Sequence, residues 1–184
     1  MIIRRVGEHR RERWANGQGA TAVIARAPDD DQWVWRLSLA DVTTNGPFST
    51  LPGIDRFIAV ASGAGMQLEV EGVTPVALDA STPAFAFDGA ALTHCRLLEG
   101  PVVDINLMVR RGVAVGELVV VEPTGTRHID PGASCVALVV LAGTVEVAGE
   151  QLRRFEAVLA DEGSLPTVHA AADARLALAM VRPA

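Results

Sequence analysis

Short apolar runs of five to nine residues, rich in Val, Ile, Leu and Phe, recur along the whole chain; TAVIARA, RFIAVAS, VVDINLMVR, CVALVVLAG and RLALAMVR are examples. Gly, Pro, Asp or Asn separates most of them, and a 3.6-residue helical period is almost absent. Many short strands at this spacing predict an all-β sandwich or barrel. In WVWRLSLADV (33–42), Trp33, Trp35, Leu37 and Leu39 alternate with a face bearing Arg36 and Ser38. That face must either meet water or line an interior. LRRFEAVLA (152–160) is the one run open to a helical reading, and its place between strand-like runs favours a turn followed by a strand.

An internal repeat sharpens the architecture. PGIDRFIAVASGAGMQLEVEG from Pro52 is echoed by PGASCVALVVLAGTVEVAG from Pro131, which sets Gly72 opposite Gly149 after a two-residue deletion. DINLMVR (104–110) lines up with LALAMVR (176–182), and PAFAFDG with FEAVLADEG. The expected organisation is two tandem β-barrel modules in one compact chain, residues 1–110 and 111–184, joined around Arg110, Arg111 and Gly112. The copies differ in chemistry. Asp104 and Asn106, two apart and so on one face, stand opposite Leu176 and Leu178, and Arg56 stands opposite Cys135. Burying an unpaired charge costs several kcal/mol, so such groups persist inside only if they satisfy one another or a ligand. The first module is expected to hold a pocket and the second to be filled.

Four ordered motifs carry a family resemblance: RWANGQGATAVIA, WRLSLADVTTNGPFSTLPGIDR, FAFDG and DINLMVR, densest between Trp14 and Arg110. The chain resembles the HutD/Ves family of cupin-like proteins. The resemblance implies a bicupin, two cupin-like jelly-roll modules, and a role as a modulator of histidine utilisation that binds a small acidic metabolite such as N-formylglutamate or urocanate. It brings no established catalytic activity.

Charge narrows the partners. A formal net charge of −6 argues against a nucleic-acid binder or an anionic-membrane binder. The cluster Arg4, Arg5, Arg10, Arg11 and Arg13 is broken by Glu8 and Glu12 and reads as a solvated strand and turn. All basic residues other than His are Arg, and Tyr is absent too, so a Lys Schiff base and a Tyr general acid are both excluded. Cys95 and Cys135 form no CxxC pattern, and no signal peptide or membrane span is evident; a cytoplasmic setting is expected. A homodimer is compatible with β edges that need covering.

The candidate ligand-binding set is Trp14, Asn16, Thr21, Arg36, Ser38, Arg56, Phe87, Asp104 and Asn106. Guanidinium forks suit carboxylates, and two could hold a dicarboxylate. Asn16, Thr21, Ser38 and Asn106 offer neutral hydrogen bonds, and Trp14 and Phe87 offer flat apolar walls. The competing possibility is a closed network in which Arg36 or Arg56 pairs permanently with Asp104 or Asp55. His9, His94, His128 and His169 form no metal-binding spacing, so no metal and no cofactor is expected. No catalytic residue is assigned. An alternative is a metal-independent isomerase or hydrolase with Asp104 as base and Arg36 as oxyanion stabiliser.

Overall fold

The computed structural model describes residues 1–14, 19–122, 127–161 and 165–184. Its elements are strands apart from one turn of 3-10 helix at Val6–Glu8. In chain order they begin β1 (Ile2–Arg4), β2 (Arg10–Arg13), β3 (Gly19–Ala27), β4 (Trp35–Val42), β5 (Gly46–Pro47), β6 (Ile54–Ser62), β7 (Met66–Val70), β8 (Val76–Leu78), β9 (Phe85–Asp88), β10 (Thr93–Leu97) and β11 (Val102–Arg110). They continue with β12 (Ala114–Val121), β13 (Arg127–Ile129), β14 (Cys135–Ala142), β15 (Val145–Val147), β16 (Glu150–Leu152), β17 (Ala157–Leu159), β18 (Val168–Ala170) and β19 (Arg175–Pro183). The run at 152–160 is a turn leading into β17, as its flanks suggest.

Two units emerge. One comprises Arg10–Gly116 with the last two residues; the other joins Met1–His9 to Glu117–Arg182. The expected boundary at 110 is therefore displaced, and the N-terminus changes sides. The reason is a strand pairing: β1 lies antiparallel to β17, with Ile3 opposite Val158, so the first residues belong to the C-terminal copy.

Sheet topology displays the duplication. The first unit has a six-stranded sheet in the order β2-β3-β4-β11-β6-β9 and a four-stranded sheet β5-β10-β7-β8. The second has a five-stranded sheet that reads β12-β19-β14-β17-β1 in the same direction, and a four-stranded sheet β13-β18-β15-β16. Thus β4-β11-β6-β9 in one copy corresponds to β12-β19-β14-β17 in the other. The register agrees as well, since Arg56 faces Met108 while its counterpart Cys135 faces Met180. Gly72 and Gly149, paired by the repeat, both turn at positive φ, 78° and 82°. A Cβ at Gly149 would meet nothing within 4 Å. Gly149→Ala is accordingly expected to cost only the backbone penalty, about 1 kcal/mol, measurable by urea unfolding.

The two interiors are filled differently. In the second unit Cys135, Leu138, Val140, Leu176 and Leu178 join one apolar cluster with the residues of the smaller sheet, such as Val145, Val147 and Val168. In the first unit the apolar cluster takes Ile58 and Val60 from β6 and Met66, Leu68 and Val70 from β7. Asp104, Asn106, Ser38 and Arg56 are buried but lie outside that cluster. Where the second copy continues its core, the first has a polar chamber.

Candidate functional site

Strand alternation builds the chamber floor. On β11, Ile105, Leu107 and Val109 are fully buried on one face, and Asp104, Asn106 and Met108 occupy the other. Cross-strand pairing then arranges three rows. Arg36, Met108, Arg56 and Phe87 stand side by side on β4, β11, β6 and β9. Ser38, Asn106 and Ile58 form the next row, and Glu12, Thr21, Ala40, Asp104 and Val60 the third. Successive rows lie roughly 7 Å apart. Guanidinium groups therefore root at one end of the floor, and a carboxyl roots at the other.

A cavity of about 500 Å³ stands over this floor, within the range of sites for small metabolites. Its lining includes Trp14, Thr21, Arg36, Ser38, Arg56, Asp104 and Asn106 from the expected set. Arg36 and Ser38 thus line an interior, which answers the question raised by the alternation in β4. Phe87 does not line the cavity but touches the residue that does: the Arg56 guanidinium lies 5.0 Å from the Phe87 ring centroid and 5.2 Å from that of Phe48. Asn16 lies outside the described residues.

The sequence reading overlooked Glu12, Phe48 and Met108, all of which line the cavity. Met108 was accessible from the period of β11, being two residues beyond Asn106. Phe48 sits in the GPFS motif, where its backbone N–H donates to the Thr93 carbonyl at 2.9 Å and holds it over Arg56. Glu12 pairs with Arg10 of the charged N-terminal cluster at 3.0 Å and also accepts a 2.9 Å hydrogen bond from Arg36 Nη2, a contact the sequence does not indicate.

The closed network of Arg36 or Arg56 with Asp104 or Asp55 does not form. Asp55 is bound to Arg111 at 2.6 Å, and Arg111 also reaches Asp88 at 2.9 Å. Arg36 pairs with Glu12. Among the described residues Arg56 makes no ion pair within 4.0 Å although only 6% of it is exposed. Arg56 Nε, Asp104 Oδ1, Asn106 Oδ1 and Arg36 Nε are buried without a hydrogen-bond partner. Trp14 is fixed by donating from Nε1 to Thr21 Oγ1 at 2.8 Å.

These burials set the charge states. Burial pushes the Asp104 carboxyl up to about 7, against the attraction of Arg56 and with a smaller push from Asp41. Burial likewise draws Arg56 down to about 10, opposed by Asp104 and assisted by Arg36, which leaves the guanidinium charged at neutral pH. Arg36 is lowered for the same first reason, with Glu12 restraining the effect. Four buried hydrogen-bonding atoms without protein partners around an open chamber are positioned for water or a guest to satisfy.

Elsewhere the chemistry is sparse. His94 and His169 are exposed, His9 is buried, and the backbone of His128 pairs with that of His169. Among the described residues no three His, Cys, Asp or Glu side chains converge as metal ligands, and no helix is long and apolar enough to cross a membrane. Cys95 and Cys135 are buried, and burial raises both thiols, to about 12 and about 11.

Comparison with known proteins places this geometry. The family model described as HutD matches residues 7–179. A Pseudomonas putida protein described as an uncharacterised 21.2 kDa protein in the hutC 3' region is 36% identical over 159 residues, covering 84% of this chain and 82% of its own. The Ves protein of Citrobacter koseri is 33% identical over 115 residues, covering 61% of this chain and 60% of its own. The structure of HutD from Pseudomonas fluorescens SBW25, from a formate condition, superposes with a TM-score of 0.85 at 31% identity, covering 100% of this chain and 98% of that one.

Proposed function

The chain belongs to the HutD family, which embraces the Ves proteins, and on that premise we propose that its N-terminal chamber is a receptor for a small organic acid. The fold is all-β and cupin-like. The observation that carries the reading is Arg56: a buried guanidinium about 5 Å from two aromatic ring centroids, lining a cavity and making no ion pair within 4.0 Å among the described residues. A ligand carboxylate would give it the charge-assisted hydrogen bonds that the protein withholds. Ser38 and Asn106, one row along the floor, would meet the neutral part of the molecule.

The setting supports a role beside histidine breakdown. The Pseudomonas putida relative is described by its place in the hutC 3' region, and the superposed structure is a HutD. N-Formylglutamate and urocanate are the acids to try first, with the protein acting as a modulator that senses the intermediate.

Calorimetric titration with N-formylglutamate, urocanate and glutamate tests the assignment. At least one is expected to bind at millimolar concentration or below and to raise the melting temperature; silence from all three removes this ligand class. Asp161→Ala, in the second unit, is expected to leave the affinity within twofold, because Asp161 is exposed and is not among the residues that line the chamber. A comparable loss from Asp161→Ala and from chamber variants would place binding elsewhere.

A further inference from the structure

Resting on the reading of the chamber as an acid receptor, we propose that its buried end takes a single carboxylate, at Arg56, and that Asp104 carries a proton whenever that carboxylate is seated. The first half follows from which guanidinium is free. Arg36 is already held by Glu12 at 2.9 Å, so a second ligand carboxylate there would have to displace or repel Glu12. Arg13 also lines the cavity but is exposed, where a charge is screened by water and salt. Among the described arginines that line the cavity, Arg56 alone combines burial with the absence of an ion pair within 4.0 Å. A two-Arg clamp for a dicarboxylate is therefore replaced by a one-carboxylate seat.

The second half follows from the charge enclosed with it. Asp104 is 2% exposed, lines the same chamber and has a buried oxygen with no donor. Ionised, Asp104 and Arg56 together are neutral, and a seated carboxylate leaves a net negative charge beside a carboxyl that is 2% exposed. The two residues root two rows apart, and the Arg56 charge nevertheless acts on Asp104, so a carboxylate that cancels that charge makes an ionised Asp104 more costly. The groups around Asp104 do not relieve this. Arg56 on β6 is engaged by the ligand, and Arg36 on β4 is held by Glu12 on β2, a carboxylate it shares with the exposed Arg10 at 3.0 Å. Asp41 on β4 repels, and Cys95 on β10 keeps its own proton at neutral pH. Taking up one proton restores neutrality and turns Asp104 from an acceptor into a donor for a ligand oxygen. Association above neutral pH is then ligand anion plus protein plus one proton, giving the complex.

Formate is the probe, since the smallest carboxylate can reach Arg56 whatever the rest of the natural ligand resembles. In the full chain, the carboxyl carbon of Asp104 is followed by NMR across pH 5 to 9, without formate and with saturating formate. Its titration midpoint is expected to rise by one unit or more with formate, and formate affinity to fall about tenfold per pH unit between the free and the formate-bound midpoints and to level off above the latter. Asp104→Asn is expected to bind formate with an affinity that is flat with pH. A midpoint that stays put or falls while formate binds overturns proton uptake and leaves the acid-receptor reading standing. Glutarate binding over tenfold more tightly than propionate, with that preference lost in Arg36→Met, overturns the single seat. Formate that fails to bind at any pH overturns both.

Discussion

Arg56→Met is expected to remove acid binding while leaving the fold at least as stable as before. The guanidinium is buried in the chamber lining with no ion pair among the described residues, and losing such a partner typically costs about 3 kcal/mol or more, over a hundredfold in affinity. Stability responds differently because the charge is a burden to the empty protein. Arg56 is buried, has no ion pair among the described residues, and is pulled down in pKa by burial. Met replaces most of its volume and packs against Phe48 and Phe87 through a polarizable thioether, so the lost cation–π contacts are partly restored. Paired measurements decide it: calorimetric titration for affinity and urea unfolding for stability. A variant destabilised by over 2 kcal/mol would show that Arg56 serves the fold; one that still binds acids as wild type would place the carboxylate seat elsewhere.

Stability of the ligand-free wild type is expected to fall with pH relative to Asp104→Asn, by roughly 4 kcal/mol in all. The folded carboxyl is raised to about 7 from an ordinary value of 3.8, with burial the largest cause. Between those values the folded state keeps a proton that the unfolded state has released. Its contribution is thus complete below about pH 4, is lost progressively as pH rises toward 7, and changes no further above it. Asp104→Asn has no proton to lose there. Urea unfolding of both proteins at pH 4, 5.5, 7 and 8 reads the difference directly, because every other titrating group is shared. Parallel curves would mean that Asp104 is solvated or neutralised in solution, and would remove the charge argument for its protonation in the complex.

Much of the site was legible because strands project side chains with a period of two. Given β4 and β11 as strands, Arg36 with Ser38, and Asp104 with Asn106, had to share faces, and the repeat showed which face matters by matching Asp104 and Asn106 to Leu176 and Leu178. Phe48 and Glu12 were hidden for a different reason. Neither belongs to the alternating pattern of a central strand: Phe48 follows the two-residue strand β5, and Glu12 lies on the edge strand β2. Their roles depend on contacts with Arg56 and Arg36 that join residues distant in sequence.

By itself the sequence determined the strand-rich class, the duplication, the contrast between a polar and an apolar copy, and the family, because each is carried by local period or by ordered motifs. The tertiary structure decided the pairings. It moved β1 into the C-terminal unit, gave Arg36 to Glu12 and Asp55 to Arg111, and left Arg56 beside two rings with no ion pair within 4.0 Å among the described residues. Which charges neutralise one another depends on through-space distance and burial, and a one-dimensional pattern of side chains contains neither.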